Sequence, residues 1–323
     1  MPRTTTAVIP VWAAIHTPFD DSGAIDEAGV RANVRRYVAL GLEGVFCNGL
    51  IGEVWALTPD ERRSVIEVIL DEAAGRLKVS VVVTASSVPE TIAFADHARD
   101  AGAHSAVLMV PVSGPRSPEQ MLAYFEHVCP RLRMPVVLFN AATAAGAPLR
   151  PAVLERLCRL PNLWLVKTTG SPAENNALRA VAGEDVAVSD PLEENFLRNW
   201  LDHGQRLLFA DPEPFLYQVG DARPVANYVG LLAAGDAAGA TEAAARLSEL
   251  RAVFNHWIMD PLRRGHMPGA ALKHWCDLIG MAGGTVRSPL QPLSRDEKAQ
   301  LQADLARCGL IAQDAPQRAR STE

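Results

Sequence analysis

Asn162-Leu-Trp-Leu-Val-Lys-Thr-Thr-Gly170, followed at once by Ser171-Pro-Ala-Glu174, reads as a strand and a helix start written end to end. Leu163–Val166 is an apolar run too short for a helix. Ser171-Pro-Ala-Glu174 is a capping box, with a side-chain oxygen at the N-cap, proline at the first helical position and a carboxylate placed to reach back. Lys167 stands between the two. Of the chain's four lysines, Lys78, Lys167, Lys273 and Lys298, it alone follows a buried-looking apolar run. An amine carried there loses hydration, which disfavours its charged form and suits it to act as a nucleophile that forms a Schiff base. A strand-end lysine that stretches past the strand to solvent explains the same residues. Because perturbed lysines are a minority, the local sequence by itself favours that plainer account.

The same pairing of apolar run and helix start recurs along the chain. Further starts are Thr58-Pro-Asp-Glu61, Ser117-Pro-Glu-Gln120 and Asp190-Pro-Leu-Glu193, with Ser87-Val-Pro-Glu90 a looser version. Helical periodicity follows them, as in Val65, Ile66, Ile69, Leu70 and Ala73. A first helix over Asp26–Leu40 carries Val30, Val34, Tyr37 and Val38 on one stripe. The short apolar runs are Ile9–Ile15, Gly44–Asn48, Val79–Thr84, Ala106–Val110, Val136–Asn140, Leu163–Lys167, Val186–Ser189 and Arg206–Ala210. Strands alternating with helices predict parallel pairing through crossovers. Eight repeats predict a closed (β/α)8 TIM barrel, and the Gly-x-Gly-x-x-Gly fingerprint of a dinucleotide fold is missing after the first strand. Beyond about Ala233 the strand signal stops, and helices are expected over Ala238–Ile258, Gly269–Leu278 and Ser294–Cys308. The expected division is therefore a barrel over residues 1–232 and a C-terminal helical region over 233–323 packed on it, with a frayed polar tail after Ile311.

A chain of 323 residues that is 48% hydrophobic can bury a large core. Its 31 basic and 37 acidic residues give a net charge of −6 without a basic block, which argues against nucleic acid or an anionic membrane as partner. The five cysteines, Cys47, Cys129, Cys158, Cys276 and Cys308, are scattered without ligand spacing, so neither a disulfide framework nor a metal site is expected. Met1–Ala7 lacks the apolar core of a signal peptide, and no run has membrane-spanning length. A cytoplasmic protein is expected.

In such a barrel the chemistry lies at the C-terminal strand ends. They are His16-Thr-Pro-Phe19, the glycine-flanked turn Asn48-Gly-Leu-Ile-Gly-Glu53, Pro111-Val-Ser113, Phe139-Asn140, Lys167-Thr-Thr169 and the neighbourhood of Asp211. The turn's backbone N–H groups suit an anion. His16 titrates near neutrality when free, yet an ordinary hydrogen-bonded histidine under the rim fits equally well. Asp190 and Asp211 each precede a Pro-x-Glu or Pro-Glu sequence, so helix capping is the simpler reading of both. Cys47 reads as a small buried apolar residue.

Taken together, Thr17-Pro-Phe-Asp20, Gly49-x-x-Gly-Glu53 with Leu57-Thr58-x-x-Glu61-Arg62, Ala101-Gly-Ala103, Phe139-Asn140, Val166-Lys167 and Val286-Arg-Ser-Pro-Leu290 give a resemblance over roughly Val8–Leu310. The sequence resembles the dihydrodipicolinate synthase / N-acetylneuraminate lyase superfamily of class I aldolases and lyases. The resemblance implies a lyase in which Lys167 forms an imine with a 2-oxo acid, commonly pyruvate or a derivative, with no cofactor. It also implies a homodimer or homotetramer, Thr169 and Asn140 near the substrate, and a bracing role for Glu53. Several family features are replaced here. Leu50 and Ile51 stand where two hydroxyl residues usually help hold the carboxylate. Phe139 replaces the strand-five tyrosine that shuttles a proton, Ser113 falls at a second tyrosine, and Ala144 at the arginine of the synthases. General acid–base help is typically worth about 10²–10⁴-fold, so a lost phenol calls for a substitute. His16, Ser113, Thr168, Thr169, Asp190 and Asp211 are the residues near the mouth that offer one.

The expectation is thus a Schiff-base lyase or aldolase acting on a carbonyl substrate in an unusually apolar pocket. Lys167, Phe139 and Thr169 would carry the chemistry, and Gly49, Leu50, Ile51, Asn140, Ser113 and His16 would line the site. Simple dihydrodipicolinate synthesis is disfavoured by the replacements. The competing reading is a barrel that has lost turnover and binds a metabolite or a protein partner.

Overall fold

The computed structural model describes residues 9–109, 117–141, 148–219 and 222–312. Its strands are β1 (Ile9–Ala14), β2 (Leu42–Cys47), β3 (Lys78–Val82), β4 (Ser105–Met109), β5 (Val136–Asn140), β6 (Leu163–Thr168), β7 (Ala187–Ser189) and β8 (Leu208–Ala210). Every pairing between these strands is parallel, in the order β7-β6-β5-β4-β3-β2-β1-β8. Side chains fasten the seam between β7 and β8. The Phe209 N–H donates to Ser189 Oγ at 2.9 Å, and Gln205 Nε2 donates to Ser189 Oγ at 3.1 Å and to the Asp190 carbonyl at 3.0 Å. The result is a near-closed eight-stranded barrel of the expected kind.

The helix starts follow the capping chemistry. Thr58, Ser171 and Ser294 each complete a reciprocal capping box, and Ser87 and Ser117 each accept one N–H bond from the first turn. Asp190 departs from the expectation. The helix it precedes begins at Glu193 with Leu192 at the N-cap. The Asp190 carboxylate is instead buried between Asn175 and Asn195, and it also accepts the Leu192 N–H.

Strand alternation sorts the side chains into two layers. Trp12, Phe46, Val137, Phe139, Leu165 and Phe209 fill the interior, while Val11, Val45, Leu138 and Val166 face the helices. Phe46 stacks on Phe209 with centroids 4.6 Å apart, and Trp12 on Phe209 at 5.4 Å. The Trp12 ring needs Gly44 beside it, since a Cβ there would lie 2.4 Å from Trp12 Cε3. One irregularity decides where Lys167 points. Val136 pairs with Leu163 but Val137 with Leu165, so β6 carries one extra residue at Trp164. Leu163 faces the helices; after the bulge Leu165 faces inward, Val166 outward, and Lys167 inward again.

The C-terminal segment is helical, as expected, with differences in detail. Gly269–Leu278 and Arg295–Arg307 are helices. The single helix expected over Ala238–Ile258 is divided into Ala237–Ala245, Ser248–Phe254 and a π-helical stretch Asn255–Met259. Arg251 satisfies the Ala244 carbonyl at the break and makes a bidentate pair with buried Glu193. A further helix, Pro224–Ala233, has no counterpart in the sequence reading. No helix of the described residues is long and apolar enough to cross a membrane.

Candidate active site

Lys167 comes off the last turn of the β6 pleat into the barrel mouth, with its side chain 1% exposed. Its ammonium lies 4.4 Å from the centroid of Phe139 on β5 and 4.6 Å from that of Phe46 on β2. Such ring faces attract a cation, the more so when it is desolvated. The remaining wall is Asp211, immediately after β8, whose Oδ1 accepts a hydrogen bond from Lys167 Nζ at 2.6 Å. The Asp211 side chain is 15% exposed, so this carboxylate touches both the buried amine and the solvent side. The capping role expected of Asp211 is not what the geometry gives, because the short helix that follows, Glu213–Leu216, has Pro212 at its N-cap. Behind Asp211 sits Glu213. Burial first, then the charges of Asp211 and Glu193, push its carboxyl well above the usual carboxylate range.

The turn after β2 forms the opposite lip. Gly52 and Val54 donate N–H bonds to the Gly49 carbonyl and Glu53 to the Leu50 carbonyl, while Thr17 Oγ1 donates to the Gly52 carbonyl. Leu50 and Ile51 pack against the interior aromatic cluster. Glu53 takes a left-handed backbone conformation, φ 54°, and is fully buried. Its carboxylate meets Lys273 Nζ at 2.5 Å and accepts the Arg287 N–H at 3.2 Å. Arg287 in turn binds Glu61 and the carbonyls of Gly23 and Ala56. Glu61 is thereby held at about 2. The C-terminal segment thus clamps the turn from behind, and Glu53 braces it.

Two expected lining residues point elsewhere. Asn140 follows Phe139 and by alternation faces the helices. Its Nδ2 donates to Thr168 Oγ1 at 3.0 Å and its Oδ1 accepts the Leu149 N–H at 3.0 Å, so both ends of the amide are engaged away from the mouth. Thr168 continues that outer chain by donating to Asn175 Oδ1. His16 is also turned outward. Its Nε2 meets the Ala282 carbonyl at 2.8 Å, which fixes the proton on that nitrogen, and its Nδ1 faces Cys276 Sγ at 3.8 Å. Burial pushes it down to about 4, so it is neutral at pH 7 and held inside the C-terminal packing. Thr169 is partly buried at the rim, with its hydroxyl 3.4 Å from the Asn140 carbonyl. Ser113 and Ala144 lie outside the described residues. The residues brought together are therefore Lys167, Phe139, Phe46, Asp211 and the Gly49–Gly52 turn. Phe46 was missed, and Asp211, named among the acid–base candidates near the mouth, was read more simply as a helix cap. The even spacing of Phe46 along β2 and the strand-end position of Asp211 were the available signals.

Comparison with known proteins agrees with this architecture. The profile of the Dihydrodipicolinate synthetase family matches residues 8–207. A 4-hydroxy-tetrahydrodipicolinate synthase of Methanothrix thermoacetophila is 28% identical over 309 residues, spanning 94% of this chain and 98% of its own. An uncharacterised DapA-like lyase of Halobacterium salinarum is 31% identical over 301 residues, spanning 91% and 92%. Among solved structures, the prophage protein YagE of E. coli K12, a dihydrodipicolinic acid synthase family member in complex with pyruvate, superposes with a TM-score of 0.81. It is 22% identical and covers 96% of this chain and 100% of its own, a likeness of fold. Matching profile, full-length relatives and barrel agree: the chain belongs to the dihydrodipicolinate synthetase family of class I aldolases and lyases.

Proposed function

We propose that the protein is a Schiff-base lyase or aldolase that acts on a 2-oxo acid or related carbonyl compound in an apolar site. The observation that carries this reading is Lys167, an amine 1% exposed at the barrel mouth between the faces of Phe46 and Phe139. Lys167 is the nucleophile and, as an iminium, the electron sink for bond cleavage; no cofactor is required. Phe139 packs against the imine, and Thr169 donates a hydrogen bond to substrate. The N–H groups of Leu50 and Ile51, next to Gly49, hold the carboxylate, and their side chains favour an apolar extension of the substrate. The relative YagE binds pyruvate, which supports a 2-oxo acid as the substrate class. In its cellular setting we place the protein in the cytoplasm as a homodimer or homotetramer, with residues 233–323 as a helical appendage to the barrel; sedimentation at the monomer mass alone would count against the assembly.

Borohydride reduction in the presence of pyruvate and of aryl- or alkyl-extended 2-oxo acids tests the chemistry. A stable mass increase on the Lys167 peptide is expected. A well-folded protein that gains no adduct from any of these carbonyl compounds is a binding protein instead, the reading that the loss of the phenol at Phe139 favours.

A further inference from the structure

A buried amine that forms an imine needs a partner that takes a proton from nitrogen and later gives one to the departing oxygen. The described walls around Lys167 narrow the choice. Phe46 and Phe139 present carbon faces. Thr168 and Asn140 are engaged with each other and with Asn175 and Leu149 in the outer layer. His16 is sealed against Ala282. Asp211 alone among the described titratable groups hydrogen-bonds Nζ, at 2.6 Å, and of the two partners it is the one whose side chain reaches solvent, 15% exposed against 1% for Lys167.

We propose that Asp211, placed by the end of β8 two strands along the barrel from β6, is the catalytic acid–base that carries protons between Nζ of Lys167 and the substrate carbonyl oxygen. The inference rests on the Schiff-base reading of the site. The ammonium first gives a proton to Asp211, and the free amine attacks the carbonyl carbon; the C–N bond forms and the C=O π pair moves to oxygen. Asp211 gives its proton to that oxygen and takes one from the now cationic nitrogen, leaving a neutral carbinolamine. Asp211 then protonates the hydroxyl, the C–O bond breaks, water leaves, and the nitrogen lone pair closes the C=N bond. An ammonium and a carbonyl thus become an iminium and water, and Asp211 ends as the carboxylate it was. The cage suits this sequence because it starts and ends with one positive charge at the same place. The iminium inherits both ring faces and the carboxylate that held the ammonium. No group has to be reoriented to stabilise it.

Timed borohydride quenching with pyruvate and phenylpyruvate as probes measures the rate of imine formation at Lys167. Asp211→Asn, with its folding checked by circular dichroism, is expected to label about 10²–10⁴-fold more slowly than wild type. Asp211→Ala is expected to be slow likewise and to be accelerated by added formate, a mobile carboxylate that fits the vacated space. Labelling of Asp211→Asn at the wild-type rate overturns the proposal while leaving the Schiff-base reading intact. So does a slow Asp211→Ala that ignores formate. A wild-type protein that never labels removes both. If neither variant folds, Asp211→Glu decides: displacing the carboxylate by one methylene is expected to slow labelling at least tenfold, and a wild-type rate refutes the role.

Discussion

The protein contains two buried lysines built from the same parts. Lys167 has a carboxylate at 2.6 Å and phenyl faces at 4.4 and 4.6 Å. Lys273 has a carboxylate at 2.5 Å and the face of Phe19 at 4.1 Å. They differ in what closes the remaining directions. Lys273 also donates to the Thr285 carbonyl at 2.6 Å, and its partner Glu53 is sealed at 0% exposure. Burial pushes Lys273 below the usual lysine range, against the opposing pull of the Glu53 charge. At Lys167 the partner Asp211 reaches solvent. Burial, pairing and a ring face are therefore as compatible with a fastening as with a reactive group. Access through the partner separates the two.

The sharpest way to break that contrast is to remove each amine. Lys167→Met should abolish borohydride labelling entirely and leave the fold intact, since Asp211 left behind can be hydrated. Lys273→Met should still label, but the stranded Glu53 carboxylate is expected to cost about 3–5 kcal/mol of stability in urea unfolding. Labelling that disappears with Lys273 and survives loss of Lys167 would reverse the assignment.

His16 belongs to the sealed side, and pH reports on it. Its depressed value, from 6.5 to about 4, means that the unfolded chain binds the proton first as pH falls. The stabilisation is complete above about pH 6.5 and lost as pH drops toward 4, by about 3 kcal/mol in all. Urea midpoints of wild type and His16→Gln between those limits should converge at the acid end; parallel curves would show that His16 does not titrate on unfolding. The smallest effect concerns the open side. Leu50→Thr/Ile51→Thr should raise the labelling efficiency of pyruvate relative to phenylpyruvate by about tenfold, or ~1.4 kcal/mol. A wild type that already prefers pyruvate, or a double variant with no shift, contradicts the apolar pocket.

The strands and most helix starts were legible because short apolar runs and Ser/Thr-Pro-x-Glu caps are local signals. What escaped the sequence depended on the third dimension. Asp211 stands before Pro-Glu and so imitates a cap, and only the closing of β8 beside β1 and β7 carries it to Lys167. Asn140 adjoins Phe139 in the chain, yet the pleat sends the two to opposite sides of the wall. Lys273 sits in the amphipathic helix Gly269–Leu278, where a lysine ordinarily faces water. Its partner lies some two hundred residues earlier in the chain, at Glu53.

The extra residue in β6 has a consequence for how this chain can vary between lineages. Loss of one codon between Leu163 and Lys167 would consume the bulge, make pairing with β5 one-to-one, and leave Lys167 opposite Phe139 on the barrel side. Every residue named in the site would still be present, in the same order and on the same face. The strand thus carries a spare residue that it can lose without turning the lysine out of the barrel. What the site cannot absorb is the reverse, a β6 of the present length that pairs without the bulge. Trp164 would then lie opposite Val137 and Lys167 opposite Asn140, in the helix layer. Descendants that keep the site must keep Lys167 in register with Phe139, whatever the length of β6.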